Sequence, residues 1–189
     1  MKTILICNEK GGCGKTTIAE ALSWRFFEEQ IPFNYYDLDK QGGAYFADHK
    51  DENAIVEIVD TPGRLHKDLK KWIEQSDFII IPTLVSVKDV APLQTMIELI
   101  EPYKNSKKIL FVFNRWTRFN NTKDFIRWFE RKWPDFDTAI LTNTSAVDDA
   151  AAREMSIGKY KPSSQAAKQI QEIYSVVKHG LNLKEGWRE

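Results

Sequence analysis

Cysteine is scarce. Cys7 and Cys13 are the two present in 189 residues and form no CxxC pair, which argues against a disulfide scaffold, a zinc ribbon or a paired redox motif and leaves small-residue packing as their role. An excess of either charge is missing as well. Lys plus Arg and Asp plus Glu both number 27, so a globally basic nucleic-acid binder is not indicated. No apolar run approaches the roughly 20 residues a membrane-spanning helix needs; the longest, FIIIPTLVSV from Phe78 to Val87, contains Pro82. The N-terminal MKTILICNEK reaches Asn8 before it can supply the roughly 7 to 15 apolar residues of a secretory segment, so no leader is expected and a reducing cytoplasm is the expected setting. Repeats, low-complexity tracts and linkers are also lacking.

What is present suits a folded domain: 42% hydrophobic, 12% aromatic and 29% charged residues. The length fits one domain at roughly 150 residues each, and such a chain buries close to ~70% of its unfolded surface. Short β-branched or aromatic runs at 3–7, 33–38, 54–60, 77–82, 108–113 and 137–141 read as strands. Segments of helical period near 15–29, 65–75, 89–102, 122–132, 145–155 and 163–179 lie between them, with Asp89 and Ser163 as candidate caps. The link from Leu38 to Ala54 is too polar and Gly-interrupted for a helix. Strands apolar on both faces and separated by helices predict a doubly wound α/β fold, a mainly parallel sheet with helices on both faces. The expected organisation is one domain over 1–180 and a frayed tail over 181–189.

The first strand runs straight into NEKGGCGKTT, residues 8–17, and then into a helix. This is the context of a phosphate-binding loop. Gly11, Gly12 and Gly14 let the backbone curl so that N–H groups point inward, and the helix N-terminus adds partial positive charge there. Lys15 is placed to reach β- and γ-phosphates, the Thr16 hydroxyl to ligate Mg2+, and Cys13 and Thr17 to complete the loop. One lysine suffices for those phosphates, yet Lys10 precedes the glycines. KGGCGKTT, Lys10 to Thr17, resembles the KGGxGKTT mark of the ParA/MinD family of deviant Walker A ATPases. That resemblance implies ATP and Mg2+ as cofactors and a nucleotide-sandwich homodimer in which Lys10 reaches the phosphates held by the partner subunit.

Two carboxylate motifs follow at ends of strands, where such a sheet binds ligands. YYDLDKQGG places Asp37 and Asp39 on one side of an extended strand end; it is similar to the family's DxDPQG, which implies that Asp39 orients the attacking water and borders the metal. Lys40 stands where the family has proline, which bears on hydrolysis more than on binding. IVDTPG, Ile58 to Gly63, looks like a Walker B motif, in which Asp60 holds Mg2+ through water. A helix cap is the competing reading of Asp60, and a structural role competes with catalysis at Asp37. FVFNRW ends the fifth strand with Asn114 and Arg115. The resemblance places Asn114 at the adenine edge, with Arg115 beside it, and the missing aspartate of NKxD favours ATP over GTP; a simple strand terminator is the alternative.

Charge is unevenly spread. From Lys104 to Lys132 nine basic residues face two acidic ones, Asp124 and Glu130; since the total is zero, the rest carries a net seven negative charges. Lys123, Arg127 and Arg131 fall at i, i+4 and i+8 on one helix face, above an apolar stripe of Phe125, Trp128, Phe129 and Trp133. This ridge is either a solvated face or a sequence-independent collector of DNA phosphates; ParA resemblance favours DNA. The tail IYSVVKHGLNLKEGWRE is a poor membrane anchor, and no helix-turn-helix extension is expected before Lys2. The expectation is therefore a ParA-type ATPase for plasmid or chromosome partition, weakly hydrolytic, cytoplasmic and nucleoid-associated when ATP-bound. Its partners would be itself, nonspecific DNA and a centromere-binding ParB-type adaptor. A MinD-like membrane switch and a metabolic ATP-dependent synthetase are the rivals.

Overall fold

The computed structural model describes residues 1–39, 44–47, 49–63 and 68–183. Six strands form one sheet: β1 (Lys2–Ile6), β2 (Phe33–Asp37), β3 (Val56–Asp60), β4 (Phe78–Leu84), β5 (Lys108–Trp116) and β6 (Asp137–Thr142). Their order is β2-β3-β1-β4-β5-β6, and every pairing is parallel. Seven helices accompany them: α1 (Lys15–Glu28), α2 (Leu69–Gln75), α3 (Val90–Ile100), α4 (Asn120–Lys132), α5 (Ala146–Ala151), α6 (Ile157–Tyr160) and α7 (Gln165–Gly180).

Strand alternation explains the two layers. Ile4, Ile6, Ile58 and Ile80 point to one face, where they meet Leu22 and Phe26 of α1 and Ile173 and Tyr174 of α7. Leu5, Cys7, Val59, Ile79 and Ile81 point to the other and pack with Ile73 of α2, Met96 of α3 and Phe129 of α4. A sheet covered on both sides needs strands apolar at every position, and β4 satisfies this with six consecutive buried residues. The doubly wound expectation holds.

Most element bounds agree with the sequence reading to within a few residues, but β5 runs on to Trp116, past the expected 108–113, and α5 stops at Ala151, short of the expected 145–155. The third helix is shorter than 89–102, because single 3-10 turns occupy Val87–Asp89 and Glu101–Tyr103 on either side of α3. α7 is capped by Ser164, whose side chain accepts from the Ala167 N–H, and not by Ser163. The short α6 was not legible in the helical period. Lys40, the first residues expected of helix 65–75, and 184–189 of the tail lie outside the described residues.

The chain leaves β1 toward β2 and β3 on one side and later returns to β4 on the other. The loop after β1 therefore opens at the switch point, where the flanking connections diverge and a ligand cleft forms.

Candidate nucleotide site

The loop after β1 is anchored before it curls. Asn8, nearly buried, donates from Nδ2 to the Pro82 carbonyl at 2.7 Å and accepts the Lys10 N–H on Oδ1 at 2.9 Å. Gly12 and Gly14 then adopt φ of +72° and +95°, left-handed values that an L side chain resists. Gly14 is also required for space, since an added Cβ would lie 2.0 Å from the Asn114 amide nitrogen. It sits at the N-cap of α1 with no side-chain cap, so the first-turn N–H groups stay available for an anion. Lys15 is 5% exposed and curls back to donate to the Lys10 carbonyl at 3.1 Å. Burial pushes the Cys13 thiol up despite Lys15, and the Cys7 thiol up to about 12; both stay uncharged packing groups.

Across the cleft, Asp37 and Asp60 are register partners at the ends of β2 and β3. Asp37 accepts the Asp39 N–H at 2.9 Å, which shapes the turn that carries Asp39 to the cleft wall. Asp60 is fully buried. Tyr35 Oη donates to its Oδ2 at 3.3 Å, while Oδ1 has no hydrogen-bond partner among the described residues. Burial raises the Asp60 carboxyl to about 6; the Thr16 hydroxyl beside it favours the charged form, Asp37 opposes it, and Lys15 favours it. Burial, with Asp60 next, likewise raises Tyr35, so its phenol stays a donor.

The cleft measures about 520 Å³ and is lined by the phosphate-loop glycines, Lys15, Thr16, Asp39 and Arg115, a size within the roughly 300–1,000 Å³ of ligand sites. Among the described residues no cluster of three acidic, His or Cys side chains forms a complete metal cage. A hydroxyl and sparse carboxylates instead fit Mg2+, which binds through one or two protein oxygens, water and substrate phosphates. Thr16 and Asp60 are the residues that could hold it, and Asp60 Oδ1, without a hydrogen-bond partner among the described residues, is the atom with capacity to spare.

Lys10 stands apart from Lys15. Its Nζ pairs with Oδ1 of Asp89, a carboxylate 1% exposed whose other oxygen takes the Ser86 hydroxyl. Asp89, expected as a cap, occupies the N-cap of α3 without a side-chain cap bond. Asn114 is buried at the loop: Nδ2 donates to the Cys13 carbonyl at 2.9 Å, and Oδ1 accepts the Arg115 N–H at 2.8 Å. Asn114 and Arg115 also border a second cleft with Thr142, Asn143 and Asp148. Arg115 carries φ of +53°, an uncommon conformation for a non-glycine residue, where β5 breaks register between Phe113 and Trp116.

The basic run is divided by the fold. Lys104 pairs with Glu101 and Asp135, and Lys107 donates to the carbonyls of Glu74 and Ser76, all at the start of β5. Arg115 lies at its far end. Lys123, Arg127 and Arg131 are exposed on α4, but Arg127 is 3.5 Å from Asp124. The aromatic stripe is confirmed, with Phe129 tilted against Phe111 at 4.8 Å and edge-on to Phe113 at 5.1 Å. Asn8, Tyr35 and Asp89 are the site residues that sequence reasoning missed; a polar side chain within an apolar strand was the available signal for Tyr35, and none marked Asp89.

A glycine-curled loop on a helix N-terminus, opposite a buried carboxylate at the end of an adjacent parallel strand, defines a P-loop nucleotide site. The model of the CobQ/CobB/MinD/ParA nucleotide-binding domain matches residues 4–157, and the chain belongs to that family. Its fold is similar to that of McdA from Cyanothece in complex with ATP, at TM-score 0.77 and 16% identity, over 100% of this chain and 99% of that one. It is also similar to a putative plasmid partition protein of Borrelia burgdorferi B31 bound to AMPPNP, at TM-score 0.70 and 14% identity, covering 94% and 98%. MinD of Pyrococcus horikoshii OT3 complexed with Mg-ADP matches at TM-score 0.66 and 15% identity, covering 93% and 95%. Escherichia coli IncC is 44% identical over 46 residues, 24% of this chain and 13% of IncC. The match thus spans about an eighth of that relative. Among the described residues no helix is long and apolar enough to cross a membrane.

Proposed function

We propose that this protein is a ParA-type ATPase that segregates plasmid or chromosomal DNA, with residues 1–180 acting as one nucleotide-binding unit. Mg2+, when bound with ATP, supplies charge neutralisation between the β- and γ-phosphates. Lys15 gives up the Lys10 carbonyl for phosphate oxygens, the loop N–H groups hold the rest, and Thr16 and Asp60 hold the metal. Asp39 orients the attacking water from the cleft wall, and Asn114 and Arg115 flank the base. Lys10 leaves Asp89 to reach the phosphates of a second copy, so ATP joins two subunits. The dimer binds nonspecific DNA through Lys123, Arg127 and Arg131, and slow hydrolysis, stimulated by a ParB-type adaptor, ends the association. The setting is cytoplasmic, on the nucleoid while ATP is bound.

The observation that carries this reading is the pair of lysines on one loop, Lys15 buried beneath it and Lys10 at its rim on a different partner. A phosphate loop that served its own nucleotide alone would need one. The test is a mobility shift on random duplex DNA with ATP, ADP or no nucleotide, at two salt concentrations. Retention with ATP alone, lost steeply as salt rises, is expected. Equal retention in all three nucleotide states would refute the switch. No retention, with ATP-dependent sedimentation on liposomes, would replace DNA with a membrane.

A further inference from the structure

Tyr35 belongs to the core between the sheet and α1 and is fully buried. A phenylalanine would cover the same surface without bringing a hydroxyl that must be satisfied. The register explains where that hydroxyl goes. Tyr35 is opposite Ile58 and Asp37 is opposite Asp60 on the neighbouring strand, so the Tyr35 ring rises two residues along its own strand, roughly 6–7 Å, to reach the carboxylate. Its Oη donates to Asp60 Oδ2 at 3.3 Å. The carboxylate's two oxygens are thereby made unequal: one is tied inside the core, and Oδ1 is buried without a hydrogen-bond partner among the described residues, on a carboxyl whose charged form the Thr16 hydroxyl favours.

We propose that Tyr35 is a positioning residue of the magnesium–nucleotide site, fixing the Asp60 carboxylate through Oδ2 so that Oδ1 is presented to the Thr16 hydroxyl and to metal-bound water. This rests on the assignment of Asp60 to the metal. An untethered aspartate at this strand end would exchange its oxygens by rotation about its last bond, and would be ordered again each time the metal arrived. With the phenol in place that ordering is made during folding, in line with the outer-shell hydrogen bonds that orient metal ligands elsewhere.

The test is a double-mutant cycle of Tyr35→Phe and Asp60→Asn in the full chain, read as the affinity for a fluorescent non-hydrolysable ATP analogue along a Mg2+ titration, with an EDTA arm. Tyr35→Phe should raise the Mg2+ concentration for half-maximal enhancement about five- to tenfold, at or just below the lower end of the roughly 10- to 100-fold typical of outer-shell changes. Affinity in EDTA should change by less than about twofold, and the Tyr35→Phe effect should vanish in the Asp60→Asn background. An unchanged Mg2+ titration in Tyr35→Phe, or an effect that persists when Asp60 is already Asn, overturns the inference and returns Tyr35 to core packing. If Asp60→Asn itself leaves the Mg2+ titration unchanged, the assignment of Asp60 fails first. A drop in EDTA affinity equal to the drop in Mg2+ would mark general disruption and also count against the proposal.

Discussion

Replacing Asp89 with Asn isolates the restraint on Lys10. Asp89 is 1% exposed and accepts Lys10 on one oxygen and the Ser86 hydroxyl on the other; Asn has nearly the same shape without the charge. At contact distance and an effective dielectric near 20, the gross attraction is about 5 kcal/mol. The Lys10 side chain is 31% exposed, so solvent screening and the cost of dehydrating the carboxylate reduce the net to about 1–2 kcal/mol. In the proposed dimer each subunit surrenders that when Lys10 turns to its partner. A dimer with Asp89→Asn therefore avoids about 2–4 kcal/mol, equivalent to roughly 30- to 1,000-fold in its dissociation constant. The assay is sedimentation velocity with saturating MgATP, in an Asp39→Ala background to stop hydrolysis, over a range of protein concentrations. Dimers should appear at concentrations at least tenfold lower than in the background alone, and Lys10→Ala should abolish them in both. Unchanged dimerisation would show that the pair imposes no restraint. Weaker dimerisation would show that Asp89 presents Lys10 to the partner, and the reasoning would be refuted in sign.

Lys15→Ala removes the buried ammonium and should weaken ATP binding by about 10- to 100-fold, the range of a charge-assisted contact plus its neighbours; isothermal titration that finds wild-type affinity would refute the phosphate-loop assignment. The Asp60 carboxyl is raised to about 6 by burial, so the folded protein binds its proton more tightly than the unfolded chain does. Nucleotide-free stability should then be greatest below pH 4 as regards this group, fall as pH rises through 6, and level off above, a loss of up to about 3 kcal/mol. Thermal melts should accordingly place nucleotide-free Asp60→Asn several degrees above wild type at pH 7.5, with the gap closing toward pH 4; equal melting at pH 7.5 would contradict the cost assigned to the buried charge. Arg127→Glu with Arg131→Glu should weaken DNA binding and lower the slope of log affinity against log salt by about 2, near 0.9 for each phosphate no longer neutralised, without changing dimerisation by ultracentrifugation; an unchanged slope would make that ridge ordinary solvated surface.

Strand positions were legible because parallel strands covered on both faces are apolar over most of their length, and FIIIP or ILFVF admits little else. The phosphate loop was equally legible, since its glycines and lysine are fixed by the backbone's approach to a ligand. Contacts between distant segments were not. Lys10 and Asp89 are 79 residues apart, and Asp89 before a helical run reads locally as a cap. The Tyr35 hydroxyl reads as one more β-forming aromatic until the neighbouring strand places Asp60 diagonally across from it. Asn114 was expected at a base, and its amide is found holding the Cys13 carbonyl. The basic segment from 104 to 132 is continuous in sequence, yet Lys104 and Lys107 are tied up at the start of β5 while Arg115 stands at its far end, which no count of charges reveals.

Gly63, after Asp60, lies so close to the first loop that an added methyl would come within 2.8 Å of the Gly11 Cα. Two main chains thus meet with nothing between them, and the phosphate cradle has a double wall. Neither layer can move toward the other without a clash, so any ligand that shifts the first loop also meets a stretch of chain some fifty residues further on.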